Sequence, residues 1–322
     1  MNWKNVDKEE DLSQGQLLEI ANQNRIINKK IISYSGLCLS IMAIVIFLVQ
    51  TGVDYLSYMY FREFYKSSWY TITVVAIGVA GVGLPLFALL MKRLPNSDRG
   101  EVKRISFAKF IMIFFICAAA MYISNFITVI INFIIGGIRG ELIGNPVEEL
   151  VVNSNMWLNI LYVSILGPLV EEIIFRKILL DKVKRFGDLP AILFTGIAFG
   201  LFHMNLSQFF YATVLGVIFA YITIRTNTVL YSVILHMMVN FMGGAMPLLL
   251  LLLDGDFTGL GILVLWVLVA MTIGGVFIVI NIKKVKLNKP RVPLLKVWDY
   301  ILNPGSLLFL FICIGMIGLS LL

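Results

Sequence analysis

Apolar runs separated by polar breaks recur along the whole chain, at 31–50, 69–91, 110–136, 157–176, 191–206, 208–224, 228–253, 260–282 and 307–322. Most reach the roughly 20 residues that a helix needs to cross a bilayer. None shows the strict alternation of a half-buried strand, and in lipid a lone segment satisfies its backbone only as a helix. The pattern predicts an all-α, polytopic membrane protein with eight or nine transmembrane helices, the fifth, sixth and ninth runs being the short ones. The start, "MNWKNVDKEEDLSQGQLLEI", is polar, so no cleavable leader is expected. Apolar positions within 12–28 (Leu12, Leu17, Leu18, Ile20, Ile26, Ile27) suggest a short amphipathic helix in a cytoplasmic segment 1–30. Residues 31–322 then form a single membrane domain, broken by charge-rich stretches at 92–109 and 283–306. An outer loop at 136–155 has room for a short helix.

Composition agrees with that pattern. The chain of 322 residues is 59% hydrophobic and 14% charged, with a mean hydropathy of +0.90. The net charge of +7 does not mark a nucleic-acid surface, because the basic residues fall in alternate breaks. Lys4, Lys8, Arg25, Lys29 and Lys30 precede the first run; a second group spans Lys92 to Lys109. Lys177, Lys182, Lys184 and Arg185 follow the fourth run, Arg225 follows the sixth, and a last group spans Lys283 to Lys296. Only Arg62, Lys66 and Arg139 occur in the other breaks. This bias places the N-terminus in the cytoplasm and, with nine spans, the C-terminus outside. Cys38, Cys117 and Cys313 lie far apart inside apolar runs and read as apolar filler.

The chemistry is concentrated in "GPLVEEIIFRKILL", residues 167–180, where Glu171, Glu172 and Arg176 interrupt an apolar run. An ionisable group in hydrocarbon costs about 3 kcal/mol or more, which makes each a candidate for function. Glu172 and Arg176 stand four residues apart and share a helix face, whereas Glu171 points about 100° away and has no partner on its own helix. The chain's two histidines, His203 in "FGLFH" and His236 in "HMMVN", also lie in apolar runs. The same four-residue spacing joins Phe199 to His203 and His236 to Asn240. On helical rise, Glu171 lies about 8 Å inside the boundary marked by Arg176 and Lys177, at a depth the other three can reach. A carboxylate, two imidazoles and an amide make a usable hydrolytic set: a base for water, and donors for an oxyanion.

"EEIIFR", "FGLFH" and "HMMVN", in this order, resemble the E-E-x-x-x-R, F-x-x-x-H and H-x-x-x-N motifs of the CAAX prenyl protease and bacteriocin-processing (Abi) family of intramembrane glutamic endopeptidases. Gly216 and "YITIRTNTVLYSVILH" (221–236) are similar to the stretch that links its second and third motifs. The resemblance covers 151–245, the expected catalytic core. It implies that Glu171, helped by His203, activates water against a peptide carbonyl, and that His236 and Asn240 stabilise the tetrahedral oxyanion. Glu172, Arg176 and Phe199 take supporting roles. The family's fold is an α-helical bundle around a cavity open toward the cytoplasm. The implied substrate is a membrane-associated peptide or protein, prenylated for eukaryotic members; bacterial members process peptides or act in bacteriocin immunity. No cofactor, metal ion or nucleic acid is expected.

Other intramembrane chemistries find less support. H-E-x-x-H, G-x-S-G and G-x-G-D are absent. A zinc site built from Glu171, His203 and His236 is conceivable, but no spacing demands one. A proton-relay transporter would call for paired broken helices in matching halves, which the sequence does not show. A non-catalytic immunity or scaffold protein remains the main alternative. "NLS" (205–207) fits a glycosylation acceptor pattern but lies against the membrane, and "DGDF" (254–257) reads as a solvated outer turn. The composition points to a bacterial plasma membrane.

Overall fold

The computed structural model describes residues 14–97, 100–140, 155–253, 257–288, 295 and 297–321. Among them the chain is mainly helical, without strands. We number the main helices α1 (Gln14–Tyr60), α2 (Tyr70–Met91), α3 (Phe107–Arg139), α4 (Met156–Phe186), α5 (Asp188–Phe202), α6 (Leu206–Thr226), α7 (Leu230–Leu250), α8 (Phe257–Asn281) and α9 (Pro304–Leu319). Seven are long and apolar enough to cross a membrane; α5 and α9 are shorter apolar helices. The protein is an α-helical, multi-pass membrane protein.

The expected N-terminal helix and first span are one element: α1 runs unbroken for 47 residues, about 70 Å at 1.5 Å per residue. Its polar end is tied down by Arg25, whose Nε and Nη2 donate to Asp299 Oδ2 and Oδ1 at 3.0 and 3.1 Å. Residues 1–13, most of the outer loop 136–155 and most of "DGDF" lie outside the described residues.

Three apolar cores hold the bundle. Ile32 of α1, Leu180 and Phe186 of α4, Ile192 of α5 and Ala220 of α6 join in one. Leu39 and Met42 of α1, Phe87 of α2, Phe175 and Leu179 of α4, Phe199 of α5 and Phe309 of α9 form the second. Phe114 and Met121 of α3, Leu215 and Phe219 of α6, and Leu235 and Val239 of α7 form the third. By contrast only 11% of the α8 window is buried, so α8 offers its apolar surface to lipid.

Three helices contain π-helical stretches at one offset from a proline. Ile77–Gly83 ends two residues before Pro85, Tyr162–Leu166 two before Pro168, and Phe241–Ala245 two before Pro247. The cause is steric and chemical. Proline cannot donate a backbone hydrogen bond, and its ring crowds the carbonyl four residues back. Widening the preceding turn relieves that crowding. A fourth stretch, Ile173–Leu179, has no such proline and carries Arg176.

The α5–α6 turn is buried rather than looped into water. α5 has 15 residues, so it rises only about 22 Å against a hydrocarbon core of about 30 Å. At that depth backbone groups need protein partners. Asn205 provides them: its Oδ1 caps α6 by accepting from Gln208 N at 2.9 Å, and its Nδ2 donates to His203 O at 2.8 Å. The side chain of the apparent glycosylation acceptor is therefore committed, and the residue is buried. α5 and α6 approach closely here. A Cβ on Gly200 would collide with Thr213 Oγ1 and come within 2.8 Å of Phe209 O.

Candidate active site

Both glutamates sit on the short α-helical segment Gly167–Glu172, between two π-helical stretches of α4. Glu172 is fully buried. Its Oε1 lies 3.0 Å from Arg176 Nη1 and 3.0 Å from His236 Nδ1. An ionised carboxylate accepts only, so His236 donates through Nδ1–H. Nε2 is then the nitrogen that faces Glu171, 3.5 Å from its Oε2. Glu171 is the less buried carboxylate, its side chain 22% exposed. α4 and α7 thereby bring Glu171, Glu172, Arg176 and His236 into one cluster.

Arg176 is held on several sides. Nη2 donates to Gly216 O at 3.2 Å, and the guanidinium carbon lies 4.4 Å from the centre of the Phe199 ring and 5.6 Å from that of Phe219. The planar cation is thus neutralised at one edge and covered by aromatic faces. Phe199 also meets both imidazoles edge-on, at 5.0 Å from His203 and 5.6 Å from His236. It joins the two histidines sterically and keeps water from the Arg176 side.

His203 occupies the end of α5, half-buried. Its Nδ1 lies 2.9 Å from Phe199 O, an acceptor, so Nδ1–H donates there and Nε2 has no hydrogen bond among the described residues. No direct hydrogen bond between His203 and Glu171 occurs among the described residues.

Asn240, also half-buried, donates from Nδ2 to Val163 O at 3.0 Å. Pro168 explains that bond. In the π-helical stretch Gly167 N donates to Tyr162 O, so the next pair in the pattern is Pro168 N with Val163 O. Proline has no hydrogen there, the carbonyl is left open, and the Asn240 amide takes the vacant place. The amide's second N–H stays available.

Sequence reasoning missed Phe219, whose ring packs 5.1 Å from His236 at 32°, and the carbonyls of Val163 and Gly216. Pro168 inside an apolar run was the available signal for the Val163 carbonyl; nothing local marks Phe219. Among the described residues no group of three or more His, Cys, Asp or Glu side chains could hold a metal ion.

A cavity of about 220 Å³ adjoins this cluster at the end of the bundle where α4 and α6 finish and α7 begins. Arg176 lines it, with Lys177, Asp181 and Lys184 of α4 and Asn227 and Thr228 of the α6–α7 turn. Glu171, His203, His236 and Asn240 do not line it.

The segment bearing these residues matches a known family. Residues 153–242 match the family described as Type II CAAX prenyl endopeptidase Rce1-like, so the three motifs belong to a likeness that runs through the whole segment. The chain is also 34% identical over 84 residues to the protein named "Putative membrane peptidase YdiL" of Bacillus subtilis (strain 168); that alignment covers 26% of this chain and 34% of the relative. The chain therefore spans about a third of the curated relative it matches. No solved structure matches it significantly.

Proposed function

We propose that this protein is an intramembrane endopeptidase of the glutamic type, cutting a membrane-associated peptide or protein from a bacterial plasma membrane with its N-terminus in the cytoplasm. The observation that carries the reading is the pairing of unlike carboxylates across one imidazole. Glu172 is buried and committed to Arg176 and His236, while Glu171 is partly open and faces His236 Nε2 at 3.5 Å. The match of 153–242 to the Rce1-like endopeptidases supports it.

In the proposed reaction Glu171 takes a proton from water as the water oxygen bonds to the scissile carbonyl carbon. The carbonyl electron pair moves onto oxygen, and the oxyanion is held by Nε2–H of protonated His236 and by the second N–H of Asn240. Collapse of the intermediate breaks the C–N bond, and Glu171 returns the proton to the departing amine. His203, through Nε2, orients the water rather than touching Glu171. Glu172 fixes the imidazole that it contacts.

The test compares the membrane proteomes of cells carrying the wild type and Glu171→Gln, which keeps shape but cannot accept the proton. Cleavage products present only with the wild type are expected; identical proteomes at equal expression would overturn the reading. A cleaved substrate found this way is then assayed with purified protein and a zinc chelator. Undiminished cleavage is expected. Activity lost to chelator and restored by zinc would replace the glutamic mechanism with a metal site.

A further inference from the structure

We infer that Tyr211 is a further catalytic residue, its hydroxyl donating to the water that Glu171 and His203 hold, an inference that rests on the protease reading. A chain of hydrogen bonds fixes the polarity of that hydroxyl. Asn205 Nδ2 has two hydrogens; one goes to His203 O at 2.8 Å and the other to Gln208 Oε1 at 2.7 Å. Gln208 therefore accepts through Oε1 and donates through Nε2, which meets the Tyr211 hydroxyl oxygen at 3.0 Å. With that oxygen accepting, Tyr211 has one hydrogen to give, and no acceptor takes it among the described residues.

Packing brings the phenol to the reacting groups. α4 and α6 run in the same direction, since their ends, at Lys184 and Asn227, line one cavity. Arg176 Nη2 donates to Gly216 O, which sets their register. Five residues back on each helix, about 7.5 Å at 1.5 Å per residue, stand Glu171 and Tyr211. Tyr211 packs against the core that holds Phe199, as Val170 does, and also against the core that holds Phe219. It thus lies at the seam of the two cores that enclose the site. Its phenol is close enough to Glu171 for their charges to interact, and no direct hydrogen bond joins them among the described residues. A water is what can link groups at such a separation. Tyr162, a second phenol in electrostatic reach of Glu171, has no hydrogen-bond partner among the described residues to set its hydroxyl.

The donors and acceptors then orient the water fully. Glu171 accepts one of its hydrogens, and His203 Nε2 accepts the other, since Nδ1–H is given to Phe199 O. The Tyr211 O–H fills one lone pair, which leaves the second aimed at the scissile carbonyl carbon. As that bond forms, Glu171 takes the proton, the carbonyl electron pair moves onto oxygen, and Tyr211 keeps its own hydrogen. Asn205 couples the two neutral holders of the water, because it binds His203 O and, through Gln208, the phenol.

The test uses the purified full chain and a synthetic peptide spanning a cleavage found only with the wild type. Tyr211→Phe removes the hydroxyl and keeps the ring. It is expected to lower kcat about 10²-fold, as misplacing a reactant does, with KM and melting temperature unchanged. Gln208→Leu leaves the phenol in place but lets its hydroxyl turn, and should lower kcat about fivefold, the worth of one hydrogen bond. The double variant should be no slower than Tyr211→Phe, because both changes act through one hydroxyl; additive losses would overturn the relay. Wild-type kcat in Tyr211→Phe, with Glu171→Gln inactive, would overturn the role of Tyr211 and leave the protease reading standing. Full activity in Glu171→Gln would overturn both. A raised KM at unchanged kcat would make the phenol a contact to the substrate rather than to the water, and overturn the assignment. So would an equal loss of kcat in Tyr162→Phe. If Tyr211→Phe does not fold, Gln208→Leu carries the comparison: slower turnover at unchanged melting supports the inference, and wild-type kcat overturns it.

Discussion

His236 reaches across from α7 to place Nδ1 3.0 Å from Glu172 Oε1, on the oxygen that Arg176 also approaches. Glu172 is therefore the hinge of the cluster: it balances a cation on its own helix and sets the tautomer of an imidazole on another. The i, i+4 spacing accounts for the first contact and is silent about the second. Orientation of His236 by Glu172 is what turns Nε2 toward Glu171.

Removing either member of the Glu172–Arg176 pair leaves a buried charge without its counterion, a loss of about 3–5 kcal/mol. Glu172→Ala and Arg176→Ala are each expected to lower folded yield or melting temperature in detergent. Arg176→Lys should rescue poorly, because an ammonium cannot at once meet Glu172, donate to Gly216 O and lie flat against Phe199. Wild-type melting in both alanine variants would refute the pairing.

The α5–α6 contact predicts a second effect. Gly200→Ala places a methyl group against Thr213 Oγ1 and Phe209 O, and backbone atoms of a packed helix pair have little room to give. Overpacking of this kind typically costs about 1–3 kcal/mol. A melting shift of that size is expected, together with reduced cleavage as the end of α5 and His203 move. Gly200→Ala combined with Thr213→Ala should recover part of the stability, as a thermal melt of the four variants would show; no recovery would place the strain elsewhere.

Much of the fold was legible because bilayer crossing imposes a length and a polarity on each helix. The runs at 191–206 and 307–322, short in sequence, are the short helices α5 and α9. The spacing of Glu172 and Arg176 survives the π-helical stretch, since four residues still span nearly one turn. Contacts between helices were less legible, because they depend on tilt and approach that no periodicity encodes. His236 was assigned by resemblance to the oxyanion, yet its Nδ1 proton goes to Glu172. The continuity of α1 through 14–60 was hidden by its change from polar to apolar residues, which altered the helix's environment but not its helicity.

Topology can be read from one position. Ser97 looks suitable for labelling in sequence, but it is buried and its N–H donates to Asp181 O at 3.0 Å. Lys103, in the same break, is exposed. With buried Cys38, Cys117 and Cys313 replaced, Lys103→Cys should resist an impermeant thiol reagent in intact cells and react after permeabilisation. Labelling from outside would invert the orientation drawn from the basic residues.

The double duty of Asn240 gives the sharpest separation of structure from chemistry. Asn240→Ala deprives the half-buried Val163 O of the donor that Pro168 cannot supply, a loss of up to about 1 kcal/mol. It also removes an oxyanion donor, so cleavage should fall by roughly 10²–10³ while traces persist. Pro168→Ala restores a backbone N–H at the place where Val163 O lacks one. In the Asn240→Ala background it should therefore return much of the lost melting temperature, because the carbonyl regains a partner within its own helix. It should not return cleavage, because no amide again faces the oxyanion. Thermal melts and cleavage rates of the two single variants and the double variant decide between the roles. An unchanged melting temperature in Asn240→Ala would remove the structural role, and cleavage restored along with stability would reduce Asn240 to a prop for α4.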